Sequence, residues 1–367
     1  MPNRLLACCL LSLTVLLTIP PSRAEIGVID NVPAATLLLP YFEVDLANTN
    51  GVTTLFSITL GGGLTPSDGA TAHLVQVTLW TDLGIPTFAF NIYLTGYDTQ
   101  SVDLRDVFNG NLPITASAGQ DPTDTLSPHG PLSQDINFAS CNGTLPYPSP
   151  ALNAAEITAL RNAHTGKAST LSNNQCSGFN HGDNIARGYL TIDAVNQCQP
   201  LFTGIVPGDT GYFGSGGSGV ATNQNNLWGD FFLINAAQNF AQGESLIALE
   251  ASTTLNSPGT YTFYGRLVNG AATDNREPLA THWAAPFEVG PGGRGTDLLV
   301  WRDPGRPVSP FACGGLPAPF PLGQNEILAF DIEENPTTLT PAAGSEPFPL
   351  AAARTTVGAS GAFGLRP

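Results

Sequence analysis

Along several short runs of this chain apolar and polar residues alternate one by one, and that period restricts the folds open to it. In VTTLFSITL, Val52, Phe56, Ile58 and Leu60 share one parity while Thr53, Ser57 and Thr59 take the other. In HLVQVTLWT the shared set is Val75, Val77 and Leu79, and in TFAFNIYLT it is Phe88, Phe90, Ile92 and Leu94. Side chains two apart point to the same face of an extended strand, so these segments read as half-buried β-strands. Turn-forming stretches such as GGGLTPSDG and DLGIP separate them. Short links favour antiparallel pairing of sequential strands, which predicts a meander or part of a Greek key over residues 36–105.

A second strand-rich block runs from about Ala186 to Ile332 and includes ARGYLTIDAV, WGDFFLIN, ESLIALEA, GTYTFYGRLV, TDLLVWR and EILAFDI. The stretch between the blocks, 106–185, is dominated by Asn, Ser, Gly, Pro and Thr. It holds one helix signal, PALNAAEITALRNAH: Asn153 is placed to cap it with Glu156 three residues on, Ile157, Leu160 and His164 follow one face, and Gly166 is placed to stop it. More than ten short strands exceed what one twisted open sheet usually carries, so two packed sheets are expected. The predicted fold is all-β: a large antiparallel two-sheet β-sandwich, immunoglobulin-like or jelly-roll-like, over residues 25–335. A loop-rich insertion with one short helix is expected at about 106–185. Residues 336–367 form a Pro- and Ala-rich C-terminal segment in which ARTTVG reads as one last edge strand. The alternative is a pair of smaller sandwiches split near residue 185.

The first 24 residues, MPNRLLACCLLSLTVLLTIPPSRA, have the n-region, apolar h-region and small-residue cleavage site of a secretory signal peptide. Cleavage is expected after Ala24. Arg4 and Arg23 leave with that segment, so 11 basic residues face 29 acidic ones in the mature chain, a net charge of −18. Nucleic acid and anionic membrane surfaces require a basic footprint, so neither is expected as a partner, and no later apolar run is long enough for membrane insertion. The expected location is periplasmic, cell-surface or secreted.

Four cysteines remain after the signal: Cys141, Cys176, Cys198 and Cys313. An even number in an exported chain reads as two disulfides, and the close C-x-x-C pairs of a zinc site are missing. Three pairings are open. The one expected joins Cys141 to Cys176, closing the polar insertion, and Cys198 to Cys313.

In PAATLLLPYFEVDL (33–46), VTLWTDLGIPTFAFNIYLTGYD (77–98), VDLRDVFNG (102–110) and TFYGRLVNGAATDNREPLA (262–280), the chain resembles a group of uncharacterised secreted bacterial β-rich proteins. The resemblance implies export and a bacterial source, and it implies no chemistry. It also implies a shortened member of the group, because similar proteins continue past PLAAARTTVG with further strand sequence; one sheet edge would then lack a partner strand.

Residues that carry chemistry elsewhere are sparse here. GSGGSG (214–219) satisfies G-x-G-x-x-G, but VATNQNN follows instead of a helix, so it reads as a surface loop. The adjacent Tyr212 and Phe213 offer a candidate stacking surface for a sugar or polymer, or else they anchor that loop to the core. No two of His73, His129, His164, His181 and His282 have metal-ligand spacing, and His181-Gly182-Asp183-Asn184 reads as a turn. Asp103 and Asp106 could chelate calcium or work as an acid/base pair, although a helical turn capped by Asp103 explains them more simply. Glu333, Glu334 and Asp209 read as exposed loop carboxylates. Trp80, Trp228, Trp283 and Trp301 sit in or beside strand-like runs, where large aromatics usually fill a core; a row of exposed ones would make a carbohydrate platform. Asn142-Gly143-Thr144 is a formal glycosylation sequon not expected to be used. Calcium is thus the one cofactor considered, and no catalytic residue is singled out. The expected function is that of an exported, non-catalytic structural or interaction protein whose partner is a surface polymer, a glycan or a protein. The alternatives are a carbohydrate- or surface-polymer-binding module and a secreted hydrolase with a site assembled from distant residues.

Overall fold

The computed structural model describes residues 32–61, 72–95, 98–113, 139–141, 143–255, 261–268, 274–288, 296–320, 322, 328–331, 333–338, 350–357 and 363–365. The signal segment, His129 and Asn142 lie outside them. Two compact units are distinguished, one of residues 30–279 and 287–367 and one of residues 1–29 and 280–286. In the second, the described residues form no helix or strand, and Thr281 Oγ1 lies 2.9 Å from His282 Nδ1. All elements below belong to the first.

In chain order the first strands are β1 (Thr36–Asp45), β2 (Val52–Leu60), β3 (Ala72–Thr81), β4 (Pro86–Thr95) and β5 (Thr99–Asp103). Helix α1 (Leu104–Phe108) and helix α2 (Ala154–His164) follow. Then come β6 (Ile185–Val195), β7 (Leu227–Asn235), β8 (Phe240–Ser245) and β9 (Ile247–Leu249). The C-terminal part adds β10 (Asp297–Trp301), β11 (Leu328–Phe330), β12 (Pro336–Thr338), β13 (Ala352–Val357) and β14 (Phe363–Leu365). Two antiparallel sheets make the sandwich, a central one ordered β4-β3-β6-β1-β9 and a flanking one ordered β5-β2-β7-β8. Strands from before and after residue 185 pair within both sheets, so the chain does not divide there into two sandwiches.

The apolar parity read from the sequence is the parity that packs. Phe56, Ile58 and Leu60 of β2, Val75, Val77 and Leu79 of β3, and Phe88, Phe90, Ile92 and Leu94 of β4 lie in one buried cluster between the sheets. At roughly 25 cal/mol per Å² of apolar surface removed from water, each such side chain contributes about 1.5–3 kcal/mol. The expected meander does not form: β1, β3 and β4 lie in the central sheet and β2 and β5 in the other, so the chain crosses between sheets three times over residues 36–103. β2 alternates buried and half-buried residues and suits a sheet with one covered face, whereas β1 is buried over nine successive residues and suits the centre. The register of β1 on β6 shifts between Leu39 and Phe42, around Pro40. Proline lacks the N–H that a ladder needs, and an irregularity accommodates it within a central strand.

A third layer covers the far face of the central sheet. The sheet β10-β13-β14 and residues 261–268 and 274–279 lie there, and Leu38, Tyr41, Trp80 and Tyr189 are buried with Phe263, Tyr264 and Ala352 in one cluster. Residues 350–353 are buried in the fold, and the strand β13 that contains ARTTV, expected at an edge, pairs on both sides within its sheet. GTYTFYGRLV, expected as a strand, is a turn over 263–268. Asp274 holds it there, accepting bonds from Thr262 Oγ1 at 2.7 Å and Tyr264 N at 3.0 Å.

The helix of the insertion forms where its local signals place it. Asn153 caps α2 in a reciprocal capping box with Glu156, and Gly166 takes φ 68° just past its end. Leu160 and His164 are buried beneath it. The disulfides are Cys141–Cys198 and Cys176–Cys313, which corrects the expected pairing. The insertion is stapled outward at each end, first to the loop after β6 and then to the C-terminal layer. Sequence separations of 57 and 137 residues make these bonds worth about 4 and 5 kcal/mol in the loop-entropy picture. One task of the insertion is to cover the β4 edge: Asn91 N donates to Tyr147 Oη at 2.8 Å, and Thr87 Oγ1 lies 2.7 Å from His164 Nε2.

Candidate functional site

The most concentrated group of ionisable side chains lies on the far face of the central sheet. The opposite parity of its strands brings Thr36 and Glu43 of β1, Gln76, Thr78 and Trp80 of β3, and Arg187, Thr191 and Asp193 of β6 to that side, all of them buried. Asp193 and Arg276 are both 0% exposed. Asp193 Oδ1 accepts a short bond from Thr36 Oγ1, and Oδ2 accepts from Tyr212 Oη at 2.9 Å and Tyr264 Oη at 3.0 Å. Arg276 donates from Nε to Thr36 Oγ1 at 2.7 Å, from Nη1 to Asn223 Oδ1 at 3.0 Å and to the Asp274 carbonyl at 2.7 Å, and from Nη2 to the Thr222 carbonyl at 2.7 Å. Its guanidinium is 4.0 Å from Asp193, so the Thr36 hydroxyl bridges cation and anion.

Burial pushes the Asp193 carboxyl up from its ordinary value, and Arg276 together with the three hydroxyl donors pulls it back. Burial, then the Asp193 charge, raises Tyr212 and Tyr264 well above the usual phenol range. Both phenols therefore stay protonated and donate. Both oxygens of this carboxylate have partners within the protein.

A second group lies further along the same face. Tyr41 Oη and Arg354 Nη1 donate to Glu43 at 2.8 and 3.2 Å, and Arg354 Nη2 reaches Asp297 Oδ2 at 2.6 Å. Arg187 forks onto Asp183 at 2.9 and 2.8 Å. His181 Nε2 and Phe179 N reach Asp82 at 2.9 Å each, fixing the His181–Asn184 turn to the β3–β4 hairpin. His164 packs against the rings of Phe42 and Phe108. Its Nδ1 lies 2.9 Å from the Arg187 carbonyl, so Nδ1 carries the proton and Nε2 accepts from Thr87. Burial lowers its pKa to about 4, and the ring is neutral at pH 7.

Tyr212 and Phe213 pack inward. Tyr212 is fully buried, Phe213 rests on Tyr264 with ring centroids 4.8 Å apart, and the Arg276 guanidinium lies 5.7 Å from the Phe213 ring. The pair anchors the GSGGSG loop, in which residues 215–217 make a single 3-10 turn and no helix follows. Asp103 caps α1 by accepting from Arg105 N at 2.9 Å and also accepts from Thr53 Oγ1 at 2.6 Å. Asp106 lies beside it at an open cavity of about 110 Å³, its pKa raised by burial and then by the Asp103 charge. Among the described residues no group of three or more His, Cys, Asp or Glu side chains is placed to hold a metal ion. Trp80 is buried, donating to Thr191 Oγ1 at 2.8 Å and stacked on Tyr189. Trp228 and Trp301 are half-buried. Glu333, Glu334 and Asp209 are exposed.

Sequence reasoning missed Asp193, Arg276 and Asp274. The available signal was an aspartate inside the otherwise apolar run GYLTIDAV, on the parity of Tyr189 and Thr191. Three parts of the chain far apart in sequence meet at this face, supplying Thr36 and Glu43, Trp80, and Thr262, Tyr264, Asp274 and Arg276. Comparison with known proteins returns no match: no family model, no curated protein and no solved structure aligns with the chain.

Proposed function

We propose that this chain is an exported, non-catalytic β-sandwich acting as a structural or interaction module in the periplasm, at the cell surface or in the medium. One observation carries the reading: the ionisable groups with unusual surroundings, Asp193, Arg276, Glu43, Arg187 and His164, are buried and bonded to other side chains or to backbone. The flanking sheet, by contrast, turns Phe232 (46% exposed) and Phe240, Ala241, Gln242 and Glu244 of β8 toward solvent. Two disulfides and the N-terminal leader support export, and among the described residues no helix is long and apolar enough to cross a membrane. The test is saturable retention of the labelled mature chain by surface material of the cell that makes it. Absence of retention, or multiple-turnover cleavage of a glycan, ester or peptide by the purified chain, would contradict the reading.

A glycan partner is favoured by one observation of its own. Tyr261 is 60% exposed, and its hydroxyl donates to Asp303 Oδ2 at 3.0 Å beside the Arg266–Asp303 ion pair. An exposed ring next to a polar acceptor and donor suits a sugar ring. Glycan-array binding lost on Tyr261→Ala supports that form, and binding unchanged by it rules the ring out.

A further inference from the structure

The two long edges of the sandwich are treated differently. β4, at the edge of the central sheet, is covered by the insertion, whereas β8, at the edge of the flanking sheet, has no strand beside it among the described residues. β8 pairs with β7 without a break from Asp230↔Ser245 to Asn235↔Phe240, so the edge is straight over six residues. Leu246 N donates to the Gly229 carbonyl at 2.8 Å, which makes Gly229 and Leu246 a hydrogen-bonded pair. Counting by twos along the ladder, Phe240, Gln242 and Glu244 face their N–H and C=O groups toward β7, and Ala241, Gly243 and Ser245 face theirs outward. The segment FAQGES contains no Lys, Pro or bulge, the usual devices that keep another strand off an edge.

β8 also overhangs the core. Phe240, Gln242 and Glu244 share the side of Phe231 and Leu233, which are buried, yet all three are exposed. On the other side a Cβ at Gly243 would lie 2.3 Å from the Phe232 ring, so that ring lies across the β8 backbone. The charge is one-sided. The strands of the flanking sheet carry Asp103, Asp230 and Glu244 and no cation, and the chain has no Lys, Arg or His between Arg187 and Arg266.

Resting on the interaction-module reading, we infer that β8 is a docking edge for an extended, basic segment of another polypeptide, which adds as a further strand. Its backbone pairs with Ala241, Gly243 and Ser245. Its alternate side chains are basic beside Glu244 and apolar where they meet Phe232. A second copy of this acidic chain brings Glu244 and Asp230 instead of cations, and charge disfavours it.

The probes are a labelled six-residue peptide alternating lysine and valine, its glutamate/valine counterpart, and the lysine/valine peptide N-methylated at alternate backbone positions, all titrated onto the mature chain by fluorescence anisotropy. The lysine/valine peptide is expected to bind at least tenfold more tightly than either of the others. Ala241→Pro removes an outward N–H that takes no part in the β7–β8 ladder, so it should weaken binding at least tenfold with an unchanged unfolding midpoint. Glu244→Lys should reverse the preference between the two charged peptides, and it keeps the test open should Ala241→Pro not fold. Three results overturn the assignment: equal binding of the N-methylated peptide, which would mean charge alone; no binding of the lysine/valine peptide; or a dimer without peptide that Ala241→Pro abolishes, which would make the occupant a second copy. If surface retention of the mature chain persists in any of these cases, only the β8 assignment fails; if retention is also absent, the interaction reading fails with it.

Discussion

The central sheet has two buried faces built on opposite principles. Toward the flanking sheet it presents Leu37, Leu39, Val75, Val77, Leu190 and Ile192, a dry apolar surface whose stability is that of transfer from water. Toward the third layer it presents Thr36, Glu43, Gln76, Thr78, Arg187 and Asp193. Those groups cost free energy to bury unless they find partners, so that face, which also buries Leu38, Trp80 and Tyr189, depends on bonds between side chains as well as on area. The first face tolerates small errors of shape. The second does not tolerate the loss of one partner, because the other is left charged and dry.

That contrast orders the expected effects of substitution. Arg276→Met leaves Asp193 without its cation and two backbone carbonyls without a donor, and urea unfolding should show a loss of about 3–5 kcal/mol. Ile192→Ala, one residue away from Asp193 but on the apolar face, should cost about 2–4 kcal/mol. If Ile192→Ala proves the more costly by a wide margin, the polar face is not the more demanding one. His164 sharpens the comparison through pH. Its folded pKa of about 4 lies below the ordinary value near 6.5, so the unfolded chain binds the proton first. Its stabilising contribution is full above about pH 6.5 and is lost as pH falls toward 4, on the order of 3 kcal/mol in all. His164→Gln should flatten the stability profile in that window by a comparable amount, and an unchanged slope would mean that the ring is not buried neutral. The smallest effect has the opposite sign. Thr78 Oγ1 is buried without a partner among the described residues, so Thr78→Val should stabilise by up to about 1 kcal/mol.

Local signals in the sequence carried local structure. The alternation at Val52–Leu60 assigned the buried side of β2, and Asn153, Glu156 and Gly166 bounded α2, because those patterns depend on neighbours a few residues away. The far face of the central sheet was not legible in the same way. Thr36, Glu43 and Asp193 look like solvent-facing positions of half-buried strands, and Arg276, Arg354 and Tyr264, far away in sequence, supply their partners in the core. The cysteine count foretold two disulfides, but the pairing depends on where the insertion lies, and that is set by the β4 edge it covers. Tyr212 and Phe213 read as either a ligand surface or an anchor. The partner that holds the Tyr212 hydroxyl, Asp193, lies on β6 and leaves no local sign.

The account turns on the claim that the buried ions of the far face serve the fold and not a reaction. A double-mutant cycle measures it most directly, with Asp193→Asn, Arg276→Met and the two together followed by equilibrium urea unfolding. The two groups share Thr36 as a bridge, so each single change should cost more than 2 kcal/mol and the combination should cost at least about 1.5 kcal/mol less than the sum. Single changes that leave stability within about 0.5 kcal/mol of the parent, or costs that simply add, would contradict it.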